Sequence, residues 1–289
     1  MNKKIPSYSI DKFTQDPSQD SFQIAVFNKD RPVKVEYPHR HDNFYEILLI
    51  TEGSGVNKID FTEYEIKPGS VFFVSPGQVH DIAYSDDIQG MIFLFNSEFY
   101  LLNKPDKNKL FDYPFFYSIH THQSAIYLDE VQRQQLSALF MQARQESIMK
   151  QPAYREVVLS FLDIILNHCK RSFPSAEFAK PSKGIILVKK FKQLIEENYL
   201  KNYAVRDYAD LLKITPNHLN ETAKLLTGKN AGALIDEKLI LEVKRMLIYT
   251  SLNITQISNE FNFADQSYFS KYVKKHTGYT PEAIRKMGT

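Results

Sequence analysis

Three histidines and one glutamate in the first third of the chain have the types and spacing of metal ligands. His39 and His41 are separated by one residue, Glu46 follows His41 after four more, and His80 lies further along. In a β-strand, side chains at i and i+2 point to the same face. Imidazole and carboxylate groups together suit a transition-metal ion. The four residues therefore predict a metal site, the polar wall of a ligand pocket, or a structural set in which His39 and His41 hydrogen-bond loops or the N-terminal segment.

Other motifs of catalytic chemistry are absent from the sequence. It contains no Gly-x-Ser-x-Gly, no phosphate-binding Gly loop and no His-Glu-x-x-His, and its ten glycines leave little room for nucleotide-binding loops. The single cysteine, Cys169, can form no intramolecular disulfide and excludes a Cys-based zinc finger. We therefore expect no catalytic residues, no enzyme and no cofactor, the metal site apart.

The chain has the composition of a globular protein that works in a reducing compartment. Hydrophobic residues make up 43% and charged residues 24%. There is no apolar run of about 18 residues, and no apolar segment follows the basic residues at the N-terminus. With one cysteine, this predicts a cytoplasmic protein with no membrane span and no leader.

Short strands are expected to hold the four polar residues. Turn formers separate β-branched and aromatic runs at 22–27, 45–50, 69–74 and 91–95. This pattern predicts a β-sandwich or a small barrel. The predicted ligand-pocket residues are His39, His41, Tyr45, Glu46, His80 and Phe93.

Two amphipathic helices are predicted at 129–149 and 152–171, and a Pro/Ser/Lys-rich linker follows at 173–183. The helical pair, within 129–172, is interpreted as a cover for the barrel and as a candidate dimer interface, and these two roles are compatible. Symmetric dimers are the commonest assemblies, so we expect a homodimer.

Residues 184–289 are basic and contain the same unit twice. They carry 16 Lys and Arg against 11 Asp and Glu, whereas the rest of the chain is mildly acidic. Lys224-Leu-Leu-Thr-Gly228 is followed fifty residues later by Lys274-Lys-His-Thr-Gly278. Each copy has the pattern of a helix-turn-helix, and a long helix at 231–250 joins them. The basic surface predicts a polyanionic partner.

The capping residues of the two copies support this interpretation. Thr215 before Pro216, and Asp265 in the second copy, are predicted N-caps, and Gly228 and Gly278 are predicted stops. The turn before each second helix falls at Lys213-Ile214 and at Asn262-Phe263.

The segments 254–261, 263, 265–271 and 274–281 resemble the signature of AraC/XylS-type transcription regulators. The resemblance covers roughly the last hundred residues. It implies a DNA-binding domain, 184–289, whose two recognition helices enter adjacent major grooves, with RNA polymerase as a further partner. The family usually has Gly where Lys213 and Asn262 stand here. Asn tolerates a left-handed backbone, but Lys does so less readily, which predicts a looser first subdomain.

The segment from His39 to Glu46, with Gly53, Gly69, Pro76-Gly77 and His80, resembles the two motifs of the cupin barrel. That resemblance fits the N-terminal sensor domain of AraC-type regulators, here 1–128. The first motif has Val33 where cupins have Gly. In cupin enzymes such residues hold iron, manganese or zinc, whereas in regulators they commonly line a small-molecule pocket. The expected fold is thus a two-domain one: an all-β cupin-like barrel with following helices, then an all-α double helix-turn-helix domain.

The predicted DNA contacts are the residues on the outward faces of the two recognition helices. They are Asn217, His218, Asn220, Glu221, Lys224, Gln266, Ser267, Ser270, Lys271 and Lys274, with Arg285 as a phosphate contact. Glu221 is interpreted as an acceptor for cytosine N4 or as a surface residue that lowers non-specific affinity. For every residue in the set, simple solvent exposure is the alternative.

We therefore expect a regulator that binds double-stranded DNA in a sequence-specific way, with a small-molecule effector in its barrel. Two alternatives stay open. One is a metal-dependent cupin enzyme with an appended DNA-binding module, and the other is a dimeric regulator that needs no ligand.

Overall fold

The computed structural model of the chain forms two compact units, one within Pro6–Phe178 and the other within Ala179–Thr289. It describes residues 5–13, 21–31, 35, 38–104, 109–116, 123–173, 183–201 and 204–287. The predicted linker, 173–183, spans the division between the units, but most of it lies outside the described residues. Among the described residues, no helix is long and apolar enough to cross a membrane.

The described residues of the first unit form two five-stranded sheets. Its strands are β1 (Ser7–Tyr8), β2 (Phe22–Asn28), β3 (His39–His41), β4 (Phe44–Glu52), β5 (Gly55–Ile59), β6 (Thr62–Ile66), β7 (Ser70–Val74), β8 (Val79–Tyr84), β9 (Gln89–Asn96) and β10 (Ala125–Tyr127). One sheet has the order β1-β3-β8-β5-β6 and the other the order β10-β7-β4-β9-β2. Among these described strands, β1 and β3 pair in parallel and the other pairs are antiparallel.

The second of these sheets is buried on both faces. Leu48 and Phe72 point to one side, where they cluster with Ile59 of the other sheet. Ile47 and Phe73, one residue away in each strand, belong to a second cluster that includes helical residues. Because both faces are covered, β4 and β7 read as nearly continuous apolar runs rather than as alternating ones. Full burial of each large apolar side chain stabilises the fold by about 1.5–3 kcal/mol.

The predicted helical pair covers the outer face of that sheet. A short helix, α1 (Ser97–Leu101), follows β9, and α2 (Glu130–Met149) and α3 (Tyr154–Ser172) form a hairpin across a four-residue connection. A capping box starts α2: Asp129 accepts a hydrogen bond from the Gln132 N–H at 2.8 Å, and Gln132 accepts one from the Asp129 N–H. The predicted role of this pair as a cover for the barrel agrees with the structure.

The described part of the second unit contains helices and their connections and no strand. Its helices are α4 (Lys183–Asn198), α5 (Val205–Leu211), α6 (Pro216–Thr227), α7 (Ala231–Tyr249), α8 (Ile254–Glu260), α9 (Gln266–Thr277) and α10 (Pro281–Met287). The pairs α5–α6 and α8–α9 are the two helix-turn-helix units, and α7 joins them. Each helix-turn-helix unit has its own core. Leu219 of the first lies in a cluster with Leu234 of α7, and Phe269 of the second lies in another cluster with Val243 of α7.

The predicted caps of the recognition helices α6 and α9 are confirmed. The Thr215 side chain accepts from the His218 N–H, and Asp265 accepts from the Tyr268 N–H at 2.7 Å. Both helices end at a glycine with positive φ, 75° at Gly228 and 80° at Gly278. The two-domain fold predicted from the sequence is therefore the fold observed.

Candidate functional site

The three histidines predicted to act together meet inside the barrel. β3 carries His39 and His41, and the antiparallel partner of His39 on β8 is His80. All three are buried, and one ring nitrogen from each lies within 4.8 Å of the others. The Nε2 atoms of His39 and His80 are 2.8 Å apart, a hydrogen-bond distance. At this distance one of the two nitrogens donates a hydrogen bond and the other accepts it.

Glu46 completes the set from β4. Its Oε2 lies 3.7 Å from Nε2 of His41. Burial raises the pKa of Glu46 to about 7, although the charge of Arg31 opposes the shift. Burial, and secondarily the neighbouring His39, lowers the pKa of His41 well below its ordinary value. Burial also lowers the pKa of His80, as do the nearby His41, His39 and Arg31. The low dielectric of the interior disfavours the charged forms of Glu46, His41 and His80.

His41 is the member with the poorest hydrogen bonding. Its ring stacks on Phe44 at 4.0 Å, and neither of its nitrogens has a hydrogen-bond partner among the described residues. A buried polar atom without a partner costs about 1–3 kcal/mol. This observation favours an occupant that offers His41 a bond.

The donor set fits a transition metal in chemistry, with one adjustment. Three neutral imidazoles and a carboxylate are ligands that zinc, iron or manganese accept. Two zinc–nitrogen bonds at a tetrahedral angle place their nitrogens about 3.3 Å apart. The 2.8 Å separation of His39 and His80 would therefore have to open by about half an ångström.

A cavity adjoins these residues between the sheets. About 80 Å³ of it is open to the centres of water molecules. Since one water needs about 10–15 Å³ on this measure, the space admits roughly five to eight non-hydrogen atoms. The described residues that line it are Phe13, Gln23, Ala25, Val26, Phe27, Arg31, Val35, His39, Glu46, Leu48, Asn57, His80, Ile82, Ile92 and Leu94.

Three predicted pocket residues, His41, Tyr45 and Phe93, are not among the described residues that line the cavity. Tyr45 and Phe93 belong to the cluster on the helix-covered face of the sheet and not to the described lining of the cavity. The cause is strand alternation: Glu46 faces the cavity, so its neighbour Tyr45 must face away. Glu46 pairs across strands with Leu94, which does line the cavity. Strand alternation from Glu46 identifies Leu48, two residues later, and cross-strand pairing with Glu46 identifies Leu94.

The cavity also has polar lining residues that sequence reasoning missed. Arg31 lies with its guanidinium 4.8 Å from the centre of the Phe27 ring. Asn57 on β5 is 1% exposed, and its Oδ1 has no hydrogen-bond partner among the described residues. No motif marks these two residues: Arg31 lies in the loop that follows β2, and Asn57 lies on β5, a strand that the sequence pattern did not predict.

The second candidate site is the outward face of α6 and α9. The inward residues, Leu219 and Ala223 in α6 and Phe269 and Val273 in α9, are fully buried. The opposite faces expose Asn217, His218, Glu221, Lys224, Gln266, Ser267, Lys271 and Lys274, while Asn220 and Ser270 are half-buried. The exposed faces agree with the predicted interface. That DNA contacts these residues stays a prediction.

Three of the predicted contacts hold the fold together. The Asn220 side chain accepts from the Ala231 N–H at 3.1 Å, and Gln266 accepts from the Thr255 hydroxyl at 2.6 Å. Arg285 donates from Nε to the Leu247 carbonyl at 3.2 Å, and its guanidinium also donates to the Leu252 carbonyl. These bonds assign Arg285 to the end of α7, and they do not support its predicted role as a phosphate contact.

Tyr268 and Lys275 are exposed residues of α9 that the sequence interpretation left out. Tyr268 is 59% exposed and lies in the first turn of the recognition helix, the part that usually reaches base edges. Lys275 lies four residues after Lys271, and this helical spacing would have identified it as part of the same face.

Two family models match this chain, one in each unit. The AraC-like ligand binding domain model matches residues 30–156, and a helix-turn-helix domain model matches residues 208–287. The HTH-type transcriptional activator RhaS of Escherichia fergusonii is 21% identical over 290 residues, covering 96% of each chain. The activator RhaR of Shigella flexneri is 23% identical and covers 96% of this chain and 97% of its own. The chain belongs to the AraC/XylS family.

As an AraC/XylS protein, it is a DNA-binding regulator with a cupin-like ligand-binding domain. Among solved structures, it is similar to ToxT from Vibrio cholerae at 17% identity and a TM-score of 0.42, with 94% of this chain and 99% of ToxT covered.

Proposed function

We propose that this AraC/XylS regulator binds a small effector in the barrel cavity and that binding changes its occupancy of DNA. The observation that carries the proposal is the cavity itself, an apolar space into which a few polar groups converge. The buried Oδ1 of Asn57 supplies a vacant acceptor, and Arg31 supplies a donor. An effector regulates only if its affinity differs between two states of the protein.

The cavity limits the effector in size and chemistry. Unless the barrel opens, the occupant has roughly five to eight non-hydrogen atoms. Apolar walls from Leu48, Ile82 and Leu94 suit a carbon skeleton, while Asn57 requires at least one hydrogen-bond donor on the ligand. A compact molecule with both characters satisfies the site.

A metal ion is the second candidate occupant. The three histidine nitrogens within 4.8 Å and the unsatisfied His41 favour it. His39, His41 and His80 would hold the ion with Glu46 nearby. Such an ion would supply a Lewis-acidic centre for an effector oxygen in a sensor, or the catalytic centre in the enzyme alternative. We propose the sensor and not an enzyme, since the chain carries two intact helix-turn-helix units.

Native mass spectrometry of the full-length protein, purified without affinity metals, tests both occupants. An organic mass that is lost in Asn57→Leu and kept in Tyr45→Phe supports the effector. Tyr45→Phe is the matched control, because this side chain packs on the helical side of the sheet. A metal mass that is lost in His41→Ala but kept in Asn57→Leu supports the ion. Bare protein whose DNA affinity responds to no candidate effector supports a ligand-independent regulator and contradicts the sensor.

We propose that the regulator acts as a homodimer through α2 and α3. These helices expose apolar side chains, among them Met141 at 60% and Ile148 at 60% on α2 and Ile164 at 43% on α3. Exposed apolar surface of this kind favours a protein partner. A dimer mass for the wild type and a monomer mass for Ile148→Lys would support the interface. A wild-type monomer would contradict it.

We further propose that the protein is cytoplasmic and that it activates transcription. The names of RhaS and RhaR state activation for those two proteins. The family resemblance implies RNA polymerase as the partner. In-vitro transcription from a selected binding site, with and without the protein, measures the sign of the effect.

A further inference from the structure

The two recognition helices have equal lengths but different charges. Both α6 and α9 span 12 residues. α6 contains one lysine, Lys224, and one acidic residue, Glu221, so these charges cancel. α9 contains Lys271, Lys274 and Lys275 and no acidic residue. All five side chains are exposed.

The internal repeat shows where the difference arises. At the offset of fifty residues, Lys271 corresponds to Glu221 and Lys275 corresponds to Leu225. At the third position both helices have lysine, Lys274 in α9 and Lys224 in α6. Leu225 is 83% exposed, so its apolar side chain is not there to fill a core. Two of the three cationic positions of α9 are thus a carboxylate and a leucine in α6.

The α9 lysines are placed to contact a polyanion. Positions 271, 274 and 275 are three and four residues apart and lie on one helical face. None of the three forms an ion pair with another residue that the structure describes. Contacts between lysine and phosphate supply most of the non-specific affinity for DNA. Each such contact releases a counterion from the DNA, and each released counterion makes the affinity more dependent on salt.

The α6 face has the groups for base contacts instead. Asn217 donates from Nδ2 to Glu221 Oε1 at 3.0 Å, which orients the carboxylate on the exposed surface. In the major groove a carboxylate accepts from cytosine N4, and it repels phosphates. Asn217 and His218 add side chains that hydrogen-bond base edges.

We infer that α9 anchors the regulator to DNA phosphates, whereas α6 discriminates between base sequences and adds little electrostatic affinity. The inference rests on the DNA-binding function described above. It assigns Lys275, besides Lys271 and Lys274, to the phosphate contacts and makes Glu221 a specificity determinant.

The salt dependence of binding tests the anchor without any knowledge of the operator. The full-length protein is titrated onto a labelled mixed-sequence duplex of about three helical turns, between about 50 and 200 mM salt. In the triple variant Lys271→Gln, Lys274→Gln, Lys275→Gln, we expect the slope of log K against log salt to shrink by about 2–3, at about 0.9 per lost phosphate contact. Lys224→Gln should shrink it by less than about 1.

Reciprocal exchanges provide the matched control. Lys271→Glu with Lys275→Leu writes the α6 pattern into α9, and Glu221→Lys with Leu225→Lys writes the α9 pattern into α6. We expect the first pair to weaken binding and the second to steepen the slope by up to about 2. All four positions are exposed, so an unchanged thermal midpoint checks folding.

Selection of sites from a random-sequence pool tests the discriminating helix. We expect Glu221→Gln to alter the base preference at the positions that α6 contacts and to leave the preference elsewhere in the selected site unchanged. An unaltered slope in the α9 triple variant, or an unaltered preference in Glu221→Gln, would overturn the inference. Failure of the wild type to bind any duplex at low salt would instead contradict the DNA-binding function itself.

Discussion

Thr227 and Thr277 occupy the same place in the two helix-turn-helix units, and their hydroxyls have the same neighbours. Each lies 2.8 Å from the carbonyl four residues earlier and 3.0 Å from the carbonyl two residues later. Each also accepts a hydrogen bond at 3.1 Å from the N–H two residues later. The backbone of the stop after the recognition helix is therefore the same in both copies.

The outward surfaces and the long-range bonds differ between the same two units. Arg285 binds two carbonyls near the end of α7, whereas the corresponding position in the first copy is Ile235. Asn262 in the second turn donates to the Leu200 carbonyl at 2.9 Å, and Lys213 stands in the first turn. Caps and buried residues fix the backbone, so the exposed positions are free to vary in charge at little cost.

The largest expected effects come from the buried residue at the centre of each recognition helix. Phe269→Ala should lower the free energy of unfolding by about 3–5 kcal/mol, and Leu219→Ala by about 2–5 kcal/mol, because each leaves a cavity in a closed core. Both side chains are fully buried but lie in separate clusters. Amide hydrogen exchange on the full-length protein should therefore accelerate mainly in the substituted unit.

The outcome that would contradict this separation is equal acceleration in both units from either variant. That result would mean that the units open together through α7, which contributes to both cores. Leu225→Ala is the control, since its side chain is exposed and its loss should change stability by less than about 0.5 kcal/mol.

The next largest effect distinguishes the two interpretations of Arg285. Arg285→Ala removes the hydrogen bonds from a charged donor to the Leu247 and Leu252 carbonyls, and should cost about 1.5–3 kcal/mol. Arg285→Lys keeps the charge but not the planar guanidinium, so most of the stabilisation from these two hydrogen bonds should still be lost. Chemical denaturation and the salt slope of DNA binding are measured together. Full stability in both variants, with a shallower slope in Arg285→Ala, would restore the phosphate contact.

The stop glycines should respond alike, which is a test of their equivalence. Gly228 and Gly278 have φ of 75° and 80°, and an added Cβ meets no atom of the described residues within 4 Å at either position. Alanine at each position should therefore lower the free energy of unfolding by about 1 kcal/mol, the cost of a left-handed backbone for a residue with a Cβ. Thermal unfolding of the two single variants measures this. A much larger cost at one glycine would show that its surroundings differ after all.

Local signals explain why the helical unit was predictable from sequence. The N-caps Thr215 and Asp265, the stop glycines and the helical period of the apolar residues each act within one or two turns. Such signals need no knowledge of distant contacts. The predicted turn positions also proved left-handed, with φ of 56° at both Lys213 and Asn262.

The barrel site was predictable only in part, because it forms from strands far apart in the chain. The spacing of His39 and His41 placed both on one face, and His80 is the cross-strand partner of His39. The prediction that Tyr45 lines the pocket was wrong, because a residue next to Glu46 faces the opposite side of the strand. Asn57 belongs to β5, whose pairing with β8 no local pattern specifies.

The smallest expected effect returns to the two turns. Lys213→Gly relieves a left-handed lysine, a gain of about 1–2 kcal/mol that the more flexible unfolded chain offsets by about 0.5–1 kcal/mol. We therefore expect a net stabilisation of about 0.5 kcal/mol. Asn262→Gly relieves less strain and loses the bond to the Leu200 carbonyl, so it should be neutral or destabilising by about 1 kcal/mol. Thermal midpoints compare the two variants directly. An equal gain in both would mean that the lysine makes the first turn no looser than the second.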